Sequence, residues 1–412
     1  MKALNRLTVA IAVATASIAA VPAAFAADCE LLVWEDIQKS KGITDAVAAF
    51  EQETKCKVSI QEMPYIQQTE KLRLDGPAGI GPDVLLIPSD QLGSSVVQGL
   101  IAPLAATPEQ LSDYTESALN AFMTDGQLYG LPKVVETLVM YYNKDLLPTP
   151  FATLDEYKKF SQERHAADKS NFGLIAKFDQ IYYAYGAVAP YGGYIFARDD
   201  KGNFDVTDIG LSNAGAIEAA TYLRSFYEDG TFPAGILGEN GINAIDSLFT
   251  EKKAAAVING PWAYEPYTKA GINFGVTPLP KVPNGKDMSS LLGVKGYAVS
   301  TWSKNPELAE QFIQFINKPE WAKKRFEITN EIPASKAVMN DPVITDNEFA
   351  KAVAIQSTRA EAMPSIPEMS QVWTPIDSAL QLVVSGKQDP AEALKGATDQ
   401  INNQIEAFRA GL

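Results

Sequence analysis

The chain of 412 residues carries 35 Lys and Arg residues against 50 Asp and Glu residues, which gives a formal net charge of −15 at pH 7. An acidic protein without a basic run is a poor partner for nucleic acid or an anionic membrane, so we expect neither. With 46% hydrophobic residues the chain can bury large cores, and its length suits two or three domains.

The N-terminus has the pattern of a secretory signal peptide. Lys2 and Arg6 precede a stretch of about 15 apolar residues, and small residues at Ala24 and Ala26 then supply a cleavage site. No second apolar segment approaches the roughly 20 residues that span a bilayer. We therefore predict a signal peptide over 1–26 and a soluble mature protein in the periplasm.

The chain contains two cysteines, Cys29 and Cys56, which bracket one strand and one helix. In an oxidising compartment such a pair is more often bridged than free. We predict a disulfide between them, and two unpaired buried thiols remain the alternative.

The first elements predict an α/β fold. Apolar, β-branched runs over 30–36, 57–63 and 82–89 are typical of strands, and 43–50 places Ile43, Val47 and Phe50 on one helical face. A strand–helix–strand rhythm indicates a parallel, doubly wound sheet.

Later segments continue the alternation. Thr153 and Glu156 form a capping box at the start of a helix, and Asn305 with Pro306 begins another, whose inward-facing residues are Leu308, Phe312, Phe315 and Ile316. No linker or repeat separates the domains, which indicates that the chain crosses between them more than once.

Catalytic and metal chemistry is thinly supplied. The one histidine, His165, lies in a polar stretch and is expected on a solvated helix face. Zinc-ligand spacing, a phosphate loop and a nucleophile elbow are all absent from the sequence, so we expect neither a metal nor another cofactor.

Aromatic residues are the most informative class. Five tyrosines fall within 181–194, a stretch rich in Gly and Pro, and Trp262 follows a Gly-Pro turn. Aromatic rings cover the apolar C–H face of a sugar, while carboxylates, amides and lysines bond its hydroxyls. These residues therefore predict a sugar-binding surface, with core packing as the alternative for any single one.

Seven motifs in order carry a specific resemblance, and they are LLVWED with Lys39 following, GPDVLLIPSDQLG, LPKVVETLVMYYNKDLLP, APYGGYIF, INGPWAY, INFGVTPLP and AMPSIPEMSQVW. The chain resembles the family 1 extracellular solute-binding proteins of ABC importers, and within them the maltose and maltodextrin binders, over nearly the whole mature length. The resemblance implies two doubly wound α/β domains joined by a multi-strand hinge, as in type II periplasmic binding proteins. We expect an N-terminal lobe over 27–134 plus 296–331 and a C-terminal lobe over 135–295 plus 332–412.

The resemblance also implies the binding residues. The hydrogen-bonding residues would be Asp36, Lys39, Asp90 and Glu136, the stacking residues would be Tyr182, Trp262 and Trp373, and Tyr183 would be their neighbour. The sequence departs from the family pattern at Ile87, where an aromatic residue is expected, and at Gln91 and Asp377, where basic residues are expected. With one stacking partner lost, the ligand is expected to be longer than a disaccharide, or cyclic.

We therefore expect a monomeric binding protein, not an enzyme, that delivers a malto-oligosaccharide, either a maltodextrin or a cyclodextrin, to an ABC permease. Another oligosaccharide, such as a galacto- or xylo-oligosaccharide, is the first alternative. A secreted carbohydrate-active enzyme is the second, but it needs two carboxyl groups about 5–9.5 Å apart across the scissile bond, and no local motif provides them.

Overall fold

The structure, a computed structural model, describes residues 29–124, 126–198 and 204–411. The signal peptide predicted over 1–26 lies outside the described residues. Within them, no helix combines the length and the apolar character that a membrane span requires.

The described strands are, in chain order, β1 Glu30–Glu35, β2 Lys57–Glu62, β3 Val84–Pro88, β4 Ile101–Ala102, β5 Met123–Thr124, β6 Gln127–Leu128, β7 Leu131–Glu136, β8 Val139–Asn143, β9 Phe172–Ile175, β10 Ala197–Arg198, β11 Phe204–Asp205, β12 Ala254–Asn259, β13 Phe274–Thr277, β14 Leu291–Ser300 and β15 Glu361–Ala362. The first three match the strands predicted from the apolar runs.

The described helices are α1 Thr44–Thr54, α2 Gln68–Asp75, α3 Leu92–Val97, α4 Pro108–Leu111, α5 Glu116–Asn120, α6 Leu154–Ala167, α7 Ile181–Val188, α8 Ala214–Glu228, α9 Gly241–Thr250, α10 Tyr264–Lys269, α11 Pro306–Ile316, α12 Pro319–Thr329, α13 Lys336–Met339, α14 Pro342–Thr345, α15 Glu348–Ser357, α16 Trp373–Val384 and α17 Pro390–Ala410. The predicted capping box before α6 is present, since the Glu156 amide donates to Thr153 Oγ1 at 3.2 Å and the Thr153 amide donates to Glu156 Oε2 at 2.9 Å.

The larger sheet contains the three strands predicted near the N-terminus. Its order is β2–β1–β3–β14–β15, and β4 and β7 also pair with β14. β1 runs parallel to β2 and β3, as predicted, but β14 is antiparallel to β3, β4 and β7. The chain reaches β14 from β13, a strand of the second sheet, and not through a crossover helix of the larger sheet. This connection therefore does not require β14 to run parallel to its neighbours.

The second sheet has the order β13–β8–β12–β9. β12 is parallel to β9, whereas β8 is antiparallel to both β12 and β13. The α/β class is confirmed, with mixed rather than wholly parallel sheets. The chain passes from one sheet to the other between β7 and β8, which only Thr137 and Leu138 separate.

The core beneath the larger sheet follows the predicted apolar pattern. Val84, Leu85, Leu86 and Ile87 of β3 are fully buried, as expected for a central strand read as a continuous apolar run. On one face, Phe50 of α1 meets a phenylalanine of α11, Phe312, edge to face at 5.1 Å. Among the four α11 residues predicted to face inward, Phe312 and Ile316 are fully buried, whereas Leu308 and Phe315 are only partly buried.

The predicted disulfide between Cys29 and Cys56 is confirmed. It lies immediately before the first paired residues of β1 and β2, Glu30 and Lys57. The bridge therefore joins the amino ends of two adjacent parallel strands.

Candidate functional site

A cleft of about 560 Å³ lies where strand ends of the two sheets meet. Tyr65 and Asp90 follow the carboxyl ends of β2 and β3, and Gln180 and Trp262 follow those of β9 and β12. Open α/β sheets bind ligands outside the carboxyl ends of parallel strands, and the volume suits a small-molecule site. Both sheets thus contribute to one candidate binding site.

The structure brings most of the predicted site residues together here. Six of them line the cleft, namely Asp90, Glu136, Tyr182, Tyr183, Trp262 and Trp373. Asp36 lies just behind the lining, with Oδ2 3.9 Å from the Lys295 ammonium. Lys39 is turned elsewhere, because its ammonium donates to the Thr329 carbonyl at 3.3 Å.

Trp262 forms an apolar wall that is open to solvent. It sits on a 3₁₀ turn, Pro261–Ala263, directly after β12, and 38% of its surface is exposed. A Cβ atom at Gly260 would come within 2.2 Å of the indole, so only glycine lets the ring lie back on the chain. The Tyr182 ring lies beside it, with centroids 6.2 Å apart.

The tyrosine-rich segment contributes less to the cleft than predicted. It begins with a helix, α7, rather than a ligand-binding loop, and only Tyr182 and Tyr183 of its five tyrosines line the cleft. Tyr185 is buried and donates to Glu361, while Tyr194 donates to Asp208 at 2.7 Å. The interpretation of the whole segment as a ligand surface was therefore wrong, because three of its tyrosines pack or bond elsewhere.

The charged residues of the lining are mostly acidic, with three carboxylates and one lysine. Glu136, at the end of β7, accepts a hydrogen bond from Lys295 at 2.9 Å. Burial raises the pKa of the Asp90 carboxyl to about 6. Carboxylates of this kind accept hydrogen bonds from ligand hydroxyls, and the one ammonium donates them.

Two of the three departures from the family pattern line the cleft. Gln91 accepts from the Thr69 hydroxyl at 2.6 Å, and Asp377 accepts from the Ile181 amide at 2.7 Å, where α7 begins. Asp377 thereby caps the helix that carries the cleft tyrosines. Burial raises its pKa to about 6.

The third departure, Ile87, has no place in the cleft. Its side chain is fully buried in β3 and gives the cleft no surface. The loss of a stacking partner at this position therefore stays a prediction. Tyr65, from the turn after β2, supplies another ring to the cleft.

The sequence profile of the bacterial extracellular solute-binding proteins matches residues 45–352, about three quarters of the chain. The chain belongs to this family. It is a solute-binding protein and not an enzyme.

Two relatives and one solved structure show how close the similarity is. The galactooligosaccharide-binding protein of Bacillus subtilis (strain 168) is 51% identical over 384 residues, which cover 93% of this chain and 91% of the relative. A maltodextrin-binding protein of the same strain is 36% identical over 362 residues, covering 87% and 85%. A crystal structure of a cyclo/maltodextrin-binding protein complexed with maltotetraose matches with a TM-score of 0.82 at 36% identity, covering 91% of this chain and 97% of that one.

Sequence reasoning missed several residues that line the cleft of this solute-binding protein, among them Tyr65, Gln180 and Lys295. Lys295 had a detectable signal, since it interrupts the apolar run of β14, where all ten residues are buried. A lysine at such a position needs a counter-charge. Tyr65 and Gln180 follow strand ends but carry no comparable signal.

Within the described ranges, no group of three or more His, Cys, Asp and Glu residues could hold a metal ion. His165 is half-buried on α6, with its ring stacked on Phe172 at 5.5 Å, rather than on a solvated face as predicted.

Proposed function

We propose that this solute-binding protein captures a neutral oligosaccharide in the cleft and delivers it to the permease of an ABC importer. The observation that carries the proposal is the pairing of aromatic rings with carboxylates in one lining, including Trp262, Tyr182, Asp90 and Glu136. Rings cover the C–H face of a pyranose, and carboxylates accept from its hydroxyls. In this proposal, residues 1–26 export the protein, which works as a periplasmic monomer without a cofactor.

A galacto-oligosaccharide is the ligand class that we favour. Support comes from the relative that binds galactooligosaccharides, since its 51% identity exceeds the 36% of the maltodextrin-binding relative. Gln91 and Asp377, which differ from the residues expected in maltodextrin binders, both belong to the lining. A maltodextrin or cyclodextrin is the second candidate, supported by the similarity to the structure that holds maltotetraose.

We further propose that the two lobes, 27–134 with 296–331 and 135–295 with 332–412, close on the sugar. Support comes from the segments at which the chain would cross between these lobes, which are neighbours, since β7 pairs with β14 and the Val135 amide donates to the Ile332 carbonyl at 2.9 Å. A ligand that touches both lobes favours the closed form by its difference in affinity for the two forms. Asp36 and Lys39 would then reach the sugar from the N-terminal lobe.

Melting temperatures measured with a panel of sugars test the ligand class. At 100 times its dissociation constant, a ligand stabilises the folded state by about 2.7 kcal/mol. We expect the largest shift with galactotriose, smaller shifts with maltotriose and β-cyclodextrin, and none with xylotriose. A larger shift with the malto-sugars would reverse the order of the two candidates, and no shift with any sugar would contradict oligosaccharide binding.

The same panel gains a site-specific control from two tryptophan variants. Trp262→Ala should weaken binding of the cognate sugar by about 1–3 kcal/mol, the range for burying one large side chain. Trp302→Ala removes a ring of similar exposure, 36%, outside the cleft and should leave affinity unchanged. Equal affinities for both variants would exclude stacking on Trp262.

Asp90→Asn is expected to weaken sugar binding and to stabilise the free protein. Because burial raises the pKa of Asp90 from 3.8 to about 6, sugar affinity should fall as the pH drops below about 6 and the carboxylate acceptor becomes protonated. The same raised pKa means that the ionised group lowers stability, an effect that grows from pH 3.8 to 6 and is complete above pH 6. The amide should therefore raise the free energy of unfolding at pH 7 by up to about 3 kcal/mol, the equivalent of raising a pKa from 3.8 to about 6.

Calorimetric titration and urea unfolding between pH 5 and pH 8 measure both effects. The variant should show weaker affinity with a flatter pH profile. A wild-type affinity that stays constant from pH 8 to pH 5 would rule out Asp90 as the ionised acceptor.

A further inference from the structure

One lysine reaches the centre of the cleft from the long strand β14. The Lys295 ammonium lies 2.9 Å from Glu136 Oε1 and 3.9 Å from Asp36 Oδ2. It also lies 3.9 Å from the centre of the Tyr65 ring, a distance typical of a cation–π contact. Its side chain is only 9% exposed, so these three groups surround it closely.

The strand register explains why these groups meet. β7 and β14 are antiparallel neighbours in which Glu136 pairs with Gly293, and a register shift follows at Lys295 and Gly296. A bulge of this kind re-aims the side chain beside it. Asp36 and Tyr65 follow the carboxyl ends of β1 and β2, and Glu136 is the last residue of β7. Side chains from the ends of three strands therefore surround the ammonium beside the bulge.

We propose that Lys295 is a positioning residue that holds Asp36, Tyr65 and Glu136 in their ligand-accepting arrangement. Its ammonium holds the two carboxylates close together, and it covers one face of the Tyr65 ring. Among the described residues, the hydrogen bond of Glu136 engages only Oε1, so Oε2 is available to a ligand hydroxyl.

Lys295 is important for the charge balance around the cleft. The lining carries three carboxylates, Asp90, Glu136 and Asp377, and Asp36 lies directly behind it. Lys295 is the one Lys or Arg among the described lining residues. Burial alone would lower its pKa, but Glu136, Tyr65 and Asp36 outweigh that effect and leave the pKa raised. The ammonium therefore stays charged throughout the physiological range.

Lys295→Met tests the proposal through the pH dependence of affinity. Without the ammonium, Glu136 and Asp36 face each other as uncompensated buried charges, which a bound sugar would desolvate further. Affinity for galactotriose and maltotriose should be about 10–100-fold weaker than wild type at pH 8. For each sugar, the ratio of the wild-type affinity to the affinity of the variant should be severalfold smaller at pH 5 than at pH 8, because protonation removes the uncompensated charge. Asp90 and Asp377, whose pKa values burial raises to about 6, titrate in both proteins and largely cancel in the ratio.

Three further variants make the result decisive. Lys295→Arg should stay within a few-fold of wild type with an unchanged pH profile. Lys295→Gln should reproduce the pH-dependent ratio, and it provides the measurement if the methionine variant does not fold. Lys144→Met, which breaks an exposed pair with Glu348 at 3.2 Å, is the matched control and should leave affinity unchanged.

Because the inference rests on the proposed function, its failure has a separate signature. A wild-type protein that binds sugar, together with a ratio near one at every pH, would overturn the role of Lys295 alone. A large ratio that is equal at pH 5 and pH 8 would also overturn it, since the loss would then come from shape rather than charge. A wild-type protein that binds no sugar would overturn both the proposed function and this role.

Discussion

Replacing Lys133 with methionine is expected to lower the free energy of unfolding by about 3–5 kcal/mol at pH 7. The Lys133 ammonium is completely buried, 2.9 Å from Glu35 Oε1 and 3.2 Å from Glu331 Oε1. Removing it leaves two carboxylates in the interior without their cation. Urea unfolding followed by circular dichroism measures the change.

A surface pair provides the control for this substitution. Lys324→Met breaks an ion pair with Asp45 in which both side chains are about half exposed, and it should cost less than about 1 kcal/mol. If both substitutions lowered stability by the same small amount, the buried cluster would contribute nothing beyond packing.

The pH dependence of the Lys133 variant follows from Glu331. Burial alone would raise the pKa of Glu331, but the charges of Lys133, Lys39 and Arg325 outweigh it and hold the pKa below its ordinary value of 4.5. This carboxylate therefore stabilises the wild type above pH 4.5, and the contribution is lost as the pH falls through the lowered pKa. Without Lys133 the pKa rises, so the two proteins should differ less at pH 5 than at pH 7.

This buried cluster also touches the candidate site. Glu35 accepts from the Asp36 amide at 2.8 Å and from the Tyr297 hydroxyl. Lys133 lies in β7, three residues before Glu136, which lines the cleft. A buried ion cluster thus holds the strands that carry the binding groups, and this favours a preorganised site.

Local sequence signals predicted the first three strands, the capping box at Thr153 and the disulfide, because each depends on neighbouring residues or on a single pair. Six of the eight predicted binding residues also line one cleft, because the resemblance supplied positions at strand ends and on the helices α7 and α16. The ion clusters were not predictable in the same way. Lys133 is 98 residues from Glu35 and 198 from Glu331, and no local pattern relates positions so far apart.

Another expectation failed for a physical reason. The tyrosine-rich stretch resembles a loop in composition, yet burial of Tyr185 and Ala187 against the core makes its first half a helix. The identity of the sugar depends on which hydroxyls meet each acceptor, and strand patterns do not encode that.

Removing the disulfide is expected to lower the free energy of unfolding by about 3.5 kcal/mol, from the loop entropy of a 27-residue separation. The double variant Cys29→Ser, Cys56→Ser should show this loss in urea unfolding, and a reductant should then change it no further. Sugar affinity should stay within about twofold of wild type. The bridge joins the amino ends of β1 and β2, whereas Asp36 and Tyr65 follow their carboxyl ends, about 20 Å away over six residues.

The six paired positions between β1 and β2, from Glu30 with Lys57 to Glu35 with Glu62, keep the register of the two strands without the bridge. The loss should therefore appear in stability and not in binding. A maleimide assay on the denatured wild type should find no free thiol. Two reactive thiols would contradict the bridge, and a large fall in affinity in the double variant would mean that the strands transmit strain from the bridge to the cleft.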